Sequence, residues 1–222
     1  VGGALVYAPK TIQTKVKEEM EMAYWRLNLK KSNGQFYNGH FEEYFTNLFD
    51  LDKSFYSGKS VLDIGCGPLG SLEWADNAVR RVGADTLGDR YLKLNKGTQS
   101  MADIKAGAES LPFEDASFEI VSLFNSLDHV EDVNAAVKEA QRVLCAGGTL
   151  LLIVEVDHQP TLTDPQSVDE PLLHAFDQCD VTMKKTFDIR DDHDVYASIS
   201  DASVRTSNKV PGILCAKLVK TR

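Results

Sequence analysis

Apolar residues recur at helical spacing in the N-terminal part of the chain. In the first pattern, the apolar positions three or four residues apart are Ile12, Val16, Met20, Ala23 and Leu27. In the second pattern, the apolar positions of one face are Phe41, Tyr44, Phe45, Leu48 and Phe49. Turn residues at 32–34 and 57–59 end the two runs. The spacing predicts two amphipathic helices ahead of any strand.

Short apolar runs then alternate with helical stretches. The runs that predict strands lie at residues 60–64, 81–85, 104–107, 118–124 and 149–156. The stretches that predict helices lie at residues 72–79, 90–95 and 133–144, the last closing at Ala146-Gly147-Gly148. Strands that alternate with helices are typical of an α/β domain with a parallel sheet.

The C-terminal part has a different pattern. A helix is predicted near residues 170–176, followed by alternating residues at 181–189, 195–199 and 213–219 without helices between them. The sheet should therefore finish with an antiparallel pair. No repeat or linker divides the chain, so we expect a doubly wound α/β domain at 59–222 and an N-terminal helical extension at 1–58 that acts as a lid.

Composition narrows the choice of partners. The 222 residues are 43% hydrophobic and carry a net charge of -9, which disfavours nucleic acid and anionic membrane surfaces. The four cysteines, Cys66, Cys145, Cys179 and Cys215, include no CxxC pair and predict reduced thiols of a cytoplasmic protein. Neither they nor the histidines have metal-ligand spacing, so we expect no metal site. No run is long and apolar enough to predict a membrane span or a signal peptide.

The loop after the first strand has the spacing of a nucleotide site. Residues 65–70 satisfy G-x-G-x-x-G, and Asp85 lies 20 residues after Gly65, where an acid can bind both ribose hydroxyls. The glycines could instead serve only helix packing, and the same pattern would suit a nicotinamide-dependent oxidoreductase. Asp63 favours another cofactor, because its charge would repel a pyrophosphate and attract the sulfonium and amino groups of S-adenosylmethionine.

These residues resemble a known family. Residues 61–67, VLDIGCG, look like the first motif of the class I S-adenosylmethionine-dependent methyltransferases, of the type 11-like group, and residues 82–85 look like their second-strand acid. Residues 107–113, 118–121, 127–130 and 142–150 resemble later family segments in the same order. The resemblance covers about residues 61–156 and implies a Rossmann-like fold with S-adenosyl-L-methionine as the cofactor.

The resemblance also implies roles for single residues. It places Asp63 near the amino group of the cofactor, Asn125 near its sulfonium, and Gly65, Cys66 and Gly67 under its methionine part. It places Asp85 at the ribose, with Asp89 as the alternative, and Ala108 and Glu109 at the adenine. Two positions depart from the family pattern. Gly107 stands where many members have an acid, and Leu69 stands where they have the third glycine.

The chemistry of methyl transfer depends mainly on positioning, so a base is needed only for an acceptor that keeps its proton. His129 and His158 follow the fourth and fifth strands and are candidate bases, although either could simply pack or lie in a solvated loop. Trp25, Tyr37 and His40 are candidate lid residues, or they only cover the sheet.

We therefore expect a methyltransferase that acts on a small molecule, such as a sugar or metabolite hydroxyl. The alternatives are an NAD-dependent oxidoreductase and a non-catalytic protein that binds S-adenosylmethionine.

Overall fold

The computed structural model describes residues 9–161, 163–207 and 210–221, and within them seven strands form one sheet. The strands are β1 (Ser60–Ile64), β2 (Arg80–Asp85), β3 (Ala102–Lys105), β4 (Phe118–Phe124), β5 (Leu144–Val156), β6 (Cys179–Asp188) and β7 (Gly212–Lys220). Their spatial order is β3-β2-β1-β4-β5-β7-β6. The prediction of a doubly wound α/β sheet is confirmed.

The direction of pairing changes along the sheet. The five strands from β1 to β5 pair in parallel, whereas β7 pairs antiparallel with both β5 and β6. The antiparallel C-terminal pair is therefore confirmed. The strand order reverses between β1 and β4, and open α/β sheets bind ligands beyond the carboxyl ends of the strands at such a point.

Helices and single turns connect the strands. The α-helices are α1 (Lys10–Lys31), α2 (Phe41–Phe45), α3 (Gly88–Leu94), α4 (Val133–Val143) and α5 (Val195–Ser200), with 3-10 turns at Asn47–Phe49, Lys53–Tyr56, Leu127–His129 and Glu170–Ala175. No helix in the described part of the chain has both the length and the apolarity to cross a membrane. The chain N-terminal to residue 9 lies outside the described residues. The domain division at residue 58 stays a prediction.

Two predictions of local structure were wrong. Residues 72–79 form successive turns instead of a helix: the Leu72 carbonyl accepts from the Ala75 amide, and the Leu72 and Glu73 carbonyls also accept from the Arg81 guanidinium. Residues 195–199 form helix α5 instead of a strand. Asp194 caps α5 by accepting from the Ala197 amide, and the buried residues have helical spacing: Val195, Ser198 and Ile199.

Helix α1 is present, but its predicted apolar stripe does not face the protein. Ile12, Met20 and Leu27 are 48%, 49% and 60% exposed, and Met22 is the buried residue instead. The helix docks through other contacts: Met22 packs against Leu87 and Tyr91 of the α3 region. Arg90 pairs with Glu18 and Glu19 of α1. The surface against which α1 packs is partly charged, so the apolar stripe did not predict the orientation of the helix.

The core lies on both faces of the sheet. One face packs against α4, and the other packs against α2 and the turn that follows it. On that second face, Phe45 and Phe49 are fully buried and their rings contact Phe124 of β4. The predicted second helix therefore buries the expected face, although it is interrupted at Thr46.

Candidate functional site

The glycine loop leaves β1 at the carboxyl edge of the sheet, beside the point where the strand order reverses. Gly65 has φ +75°, and a Cβ there would lie 2.3 Å from the Cβ of Ser126. The Ser126 hydroxyl donates to the Ile64 carbonyl at 2.9 Å, which holds the loop after β4 against the end of β1. Residue 65 must therefore be glycine for two reasons: its backbone conformation and this close approach.

Asp63 lies in β1 and is 3% exposed. Its carboxylate accepts from the hydroxyl of Ser122 at 2.6 Å and from the hydroxyl of Ser71. Burial raises the pKa of Asp63 to about 6, against the two hydroxyl hydrogen bonds, which lower it. The side chain thus links β1, β4 and the far end of the glycine loop. Near neutral pH it carries a buried negative charge, which is energetically unfavourable.

Asp85 ends β2 and faces the same loop. Its two oxygens accept from the backbone amides of Gly67 at 3.2 Å and Leu87 at 2.9 Å. Burial raises the pKa of Asp85, whereas these backbone hydrogen bonds lower it. Asp89, the alternative ribose ligand, is exposed in the first turn of α3. The structure therefore brings Asp85, and not Asp89, against the glycine loop.

The charge of these two carboxylates is unbalanced. In the described part of the chain, the hydrogen-bond partners of Asp63 and Asp85 are hydroxyl and backbone N–H groups, which carry no formal charge. Each carboxylate oxygen retains a lone pair for a further donor. A ligand with positive groups and a diol, as in S-adenosylmethionine, would balance the charge of Asp63 and bind Asp85. The residues present fit that cofactor.

The other predicted cofactor residues lie along the same edge with different partners. Cys66 is buried, and burial raises the pKa of its thiol well above the ordinary value. Asn125 follows β4 with φ +48°, a conformation that asparagine tolerates. Glu109 accepts from the Glu131 amide at 2.8 Å, so one of its oxygens is engaged near the start of α4. Ala108 is half-buried against the core.

Helix α1 crosses this edge of the sheet. At its first half, the Lys17 ammonium donates to the His129 carbonyl beyond β4. At its second half, Trp25 lies over the glycine loop, because its Cζ2 atom is 3.5 Å from where a Gly67 Cβ would be. Between them, Met22 is buried against Leu87. The cofactor edge is thus covered in this conformation.

The two other predicted lid residues belong to a different cluster. His40 contacts the rings of Tyr37, Phe41, Tyr44 and Tyr196. Burial lowers the pKa of His40. Tyr37 lies on the outer side of this cluster and is 72% exposed. Between this cluster and Trp25, the Asn38 amide donates to the Gly70 carbonyl at 3.4 Å.

The two predicted bases meet at the ends of β4 and β5. His158 is 6% exposed, its Nδ1 is 3.1 Å from the Gln159 carbonyl oxygen, and its Nε2 has no hydrogen-bond partner in the described structure. That Nε2 lies 3.9 Å from Oδ2 of Asp128, and His129 Nε2 lies 3.9 Å from Oδ1 of the same carboxylate. Burial raises the pKa of Asp128. Two histidines therefore face one buried acid.

Sequence reasoning missed several residues of this site. They are Lys17, Ser71, Ser122, Ser126, Asp128 and Asp164. Asp128 stood beside His129 in a segment already singled out, and its position directly after a buried strand was a usable signal. No motif marks Lys17, because only the docking of α1 brings it to this edge.

The central part of the chain matches a known family. Residues 62–152 match the family model described as a methyltransferase domain. The ubiquinone/menaquinone biosynthesis C-methyltransferase UbiE of Hahella chejuensis is 38% identical over 121 residues, 47% of this chain and 47% of that protein. The uncharacterized methyltransferase YcgJ of Bacillus subtilis is 32% identical over 130 residues, 51% of each chain. The chain spans about half the length of these curated relatives.

Solved structures share the fold more broadly. The crystal structure of the Bacillus YcgJ protein has a TM-score of 0.57 at 19% identity and covers 77% of this chain and 96% of its own. That of the [4+2]-cyclase SpnF has a TM-score of 0.58 at 18% identity and covers 81% and 78%. At such identities the likeness shows the fold alone, so the residues at the sheet edge must carry any functional argument.

Proposed function

Because this chain carries a class I S-adenosylmethionine-dependent methyltransferase domain, we propose that it transfers a methyl group from S-adenosylmethionine to a small-molecule acceptor. The observation that carries the proposal is a pair of acids at the glycine loop, the buried Asp63 and the half-buried Asp85, whose hydrogen-bond partners carry no balancing charge. A cytoplasmic location is part of the proposal and is supported by the four free cysteines.

The cofactor side of the reaction uses charge and close approach. S-adenosylmethionine, when bound, supplies a methyl group on a positively charged sulfur. Asp85 binds the ribose hydroxyls with its free lone pairs, and Asp63 attracts the positive end of the cofactor from below the loop. Gly65 and Gly67 let the backbone approach the ligand closely. These residues position the donor, and positioning provides much of the acceleration of an in-line displacement.

The acceptor side is the edge beyond β4 and β5. We place the acceptor there because Asp128, His129 and His158 gather ionisable groups at the same edge as the glycine loop. A hydroxyl of a sugar or related metabolite must lose its proton, and His158 Nε2 is the unpartnered atom that can accept it. A carbon acceptor is the second candidate and is supported by the name of the Hahella relative.

Helix α1 acts as the lid in this proposal. It spans the edge from His129 to Gly67, so the cofactor enters only when the helix moves away. Closure over the bound cofactor would exclude water from the transfer. Tyr37 and His40 are further lid residues in this proposal, and their rings belong to the aromatic cluster that includes Tyr196.

Calorimetry with S-adenosylmethionine tests the cofactor assignment. Asp85→Asn removes the acceptor charge at the ribose, and we expect a loss of about 2 kcal/mol in binding free energy, or about thirtyfold in Kd. Asp89→Asn is the matched control four residues away, and its Kd should equal that of the wild type. Equal losses in both variants, or a loss only in Asp89→Asn, would overturn the assignment.

A turnover assay separates the remaining alternatives. We expect transfer of a labelled methyl group to at least one compound in a panel of hydroxyl and carbon acceptors. A protein that binds S-adenosylmethionine tightly and transfers no label would be the non-catalytic binder instead.

A further inference from the structure

The ends of β4 and β5 hold a cluster that the cofactor does not use. The geometry points to a divalent metal site formed by Asp128, His129 and Asp164. Each of the three side chains can present one ligand atom, and these atoms all lie within 4.8 Å of one another. The sequence spacing predicted no metal site, because Asp164 is 36 residues from Asp128 and only the fold brings it beside the other two.

The Asp128 carboxylate is the strongest indication of a metal ligand in this cluster. Its side chain is 4% exposed, and its Oδ1 atom has no hydrogen-bond donor within the described structure. A buried carboxylate oxygen without a donor or a cation is costly. The His158 Nε2 atom, which also has no partner in the described structure, lies 3.9 Å from the other oxygen of Asp128. It stays outside the metal site, because the proposed function uses it as the proton acceptor.

The orientation of His129 supports the same conclusion. Its Nδ1 atom lies 3.1 Å from the Thr163 carbonyl oxygen and 3.1 Å from Oδ1 of Asp164. With Nδ1 unprotonated, an ion about 2 Å from each atom would be shared by the His129 ring and the Asp164 carboxylate. The other Asp164 oxygen accepts from the hydroxyls of Thr161 and Thr163, so Asp164 is itself held in place.

Lys17 lies close enough for the charges of Asp128 and Asp164 to act on it, but it does not fill the site. Its ammonium donates to the main-chain carbonyl of His129. Among the described residues, no ion pair within 4 Å joins Lys17 to Asp128 or Asp164. The negative field of the cluster therefore remains available, although the lysine charge weakens it.

Imidazole and carboxylate donors together select first-row transition ions over Mg²⁺. Three protein ligands leave coordination positions open, and at this edge an oxygen of the acceptor could occupy one of them. That second statement rests on the proposed function, whereas metal binding can be measured without any acceptor or cofactor.

The test uses the 222-residue chain, stripped of metal, with Mn²⁺ as the probe. Electron paramagnetic resonance of free Mn²⁺ should show one bound ion per chain, with a Kd well below that for Mg²⁺. Asp128→Asn and His129→Gln should each weaken Mn²⁺ binding by about tenfold or more. The exposed residues His174 and Asp177 provide the controls, because His174→Gln and Asp177→Asn should leave the Kd unchanged.

A variant at a partly exposed ligand residue tests the proposal even if the variants at buried residues fail to fold. The Asp164 side chain is 28% exposed, so Asp164→Asn should keep the fold, as judged by circular dichroism, and lose the rise in Tm that Mn²⁺ gives the wild type. Lys17→Met should lower the Kd for Mn²⁺ several-fold by removing a competing charge. The proposal is overturned if the wild type binds no Mn²⁺ at millimolar concentration, or if folded Asp164→Asn and His129→Gln bind it as tightly as the wild type.

Discussion

The two halves of the carboxyl edge are built in different ways. Over β1 and β2, the glycine loop and its two acids come from one stretch of the chain, residues 63–85, and the acids accept from amide and hydroxyl groups, including the Ser122 hydroxyl of β4. Over β4 and β5, side chains from two distant segments converge: Asp128 and His129 after β4, and His158 and Asp164 after β5. Two of their polar atoms, Asp128 Oδ1 and His158 Nε2, have no partner within the described structure. The first half suits a cofactor of constant chemistry, and the second suits a variable acceptor.

Because of this difference, we expect substitutions in the two halves to affect either cofactor binding or turnover. Changes over β1 and β2 should alter the affinity for S-adenosylmethionine or the stability of the fold. Changes over β4 and β5 should alter turnover and leave that affinity intact. The predictions below test this separation, beginning with the largest expected effect.

His158→Gln should reduce turnover by about 100-fold or more, because it removes the proposed proton acceptor. The affinity for S-adenosylmethionine should stay at the wild-type value, as measured by calorimetry. His174→Gln, at an exposed position, is the matched control and should retain full turnover. A parallel loss of cofactor affinity in His158→Gln would place His158 on the cofactor side instead.

Gly65→Ala should lower the free energy of unfolding by about 3 kcal/mol, because the new Cβ would collide with Ser126 and the backbone has a positive φ. Gly58 also has a positive φ, but a Cβ there would have no atom within 4 Å. Gly58→Ala should therefore cost only about 1 kcal/mol in urea unfolding. Equal costs at the two positions would show that Ser126 does not constrain the loop.

Asp63→Asn should change the pH dependence of stability. Because the pKa of Asp63 is raised to about 6 in the folded protein, the native state holds this proton more tightly than the unfolded chain. The wild type should therefore lose up to about 3 kcal/mol from this group as pH rises from 4 to 7.5, and the variant should not. A stability difference between the two proteins that is independent of pH, measured by urea unfolding, would contradict the raised pKa.

Trp25→Ala should accelerate dissociation of S-adenosylmethionine several-fold, because the indole lies over Gly67 in the closed conformation. Leu27, on the same helix, is 60% exposed and provides the control. Stopped-flow measurement should give the wild-type dissociation rate for Leu27→Ala. Identical rates in all three proteins would remove α1 from the role of lid.

The same difference between the two halves of the carboxyl edge explains which features could be predicted from sequence. The strand before the glycine loop, the loop itself and the antiparallel end were predictable because each depends on a local pattern. The spacing from Gly65 singled out Asp85, which accepts from the Gly67 amide in the structure, and its role at the ribose stays a prediction. The turns at 72–79 were not predicted from their local pattern, which does not show that two of their carbonyls bond to Arg81 of the following strand.

Long-range contacts account for the other failures. The stripe on α1 has good helical spacing, yet the helix docks with Met22 inward because it meets Leu87 and Arg90 of another segment. No sequence pattern around Asp164 indicates a function. Its place beside His129 follows from the path of the chain after β5.

Calorimetry with S-adenosylmethionine, S-adenosylhomocysteine and NAD on the unmodified chain tests the central claim most directly. The fold and the glycine loop alone would suit either class of cofactor, and the unbalanced acids Asp63 and Asp85 favour the positively charged one. We predict stoichiometric binding of S-adenosylmethionine and S-adenosylhomocysteine and no binding of NAD. Tight binding of NAD without binding of the other two would contradict the claim.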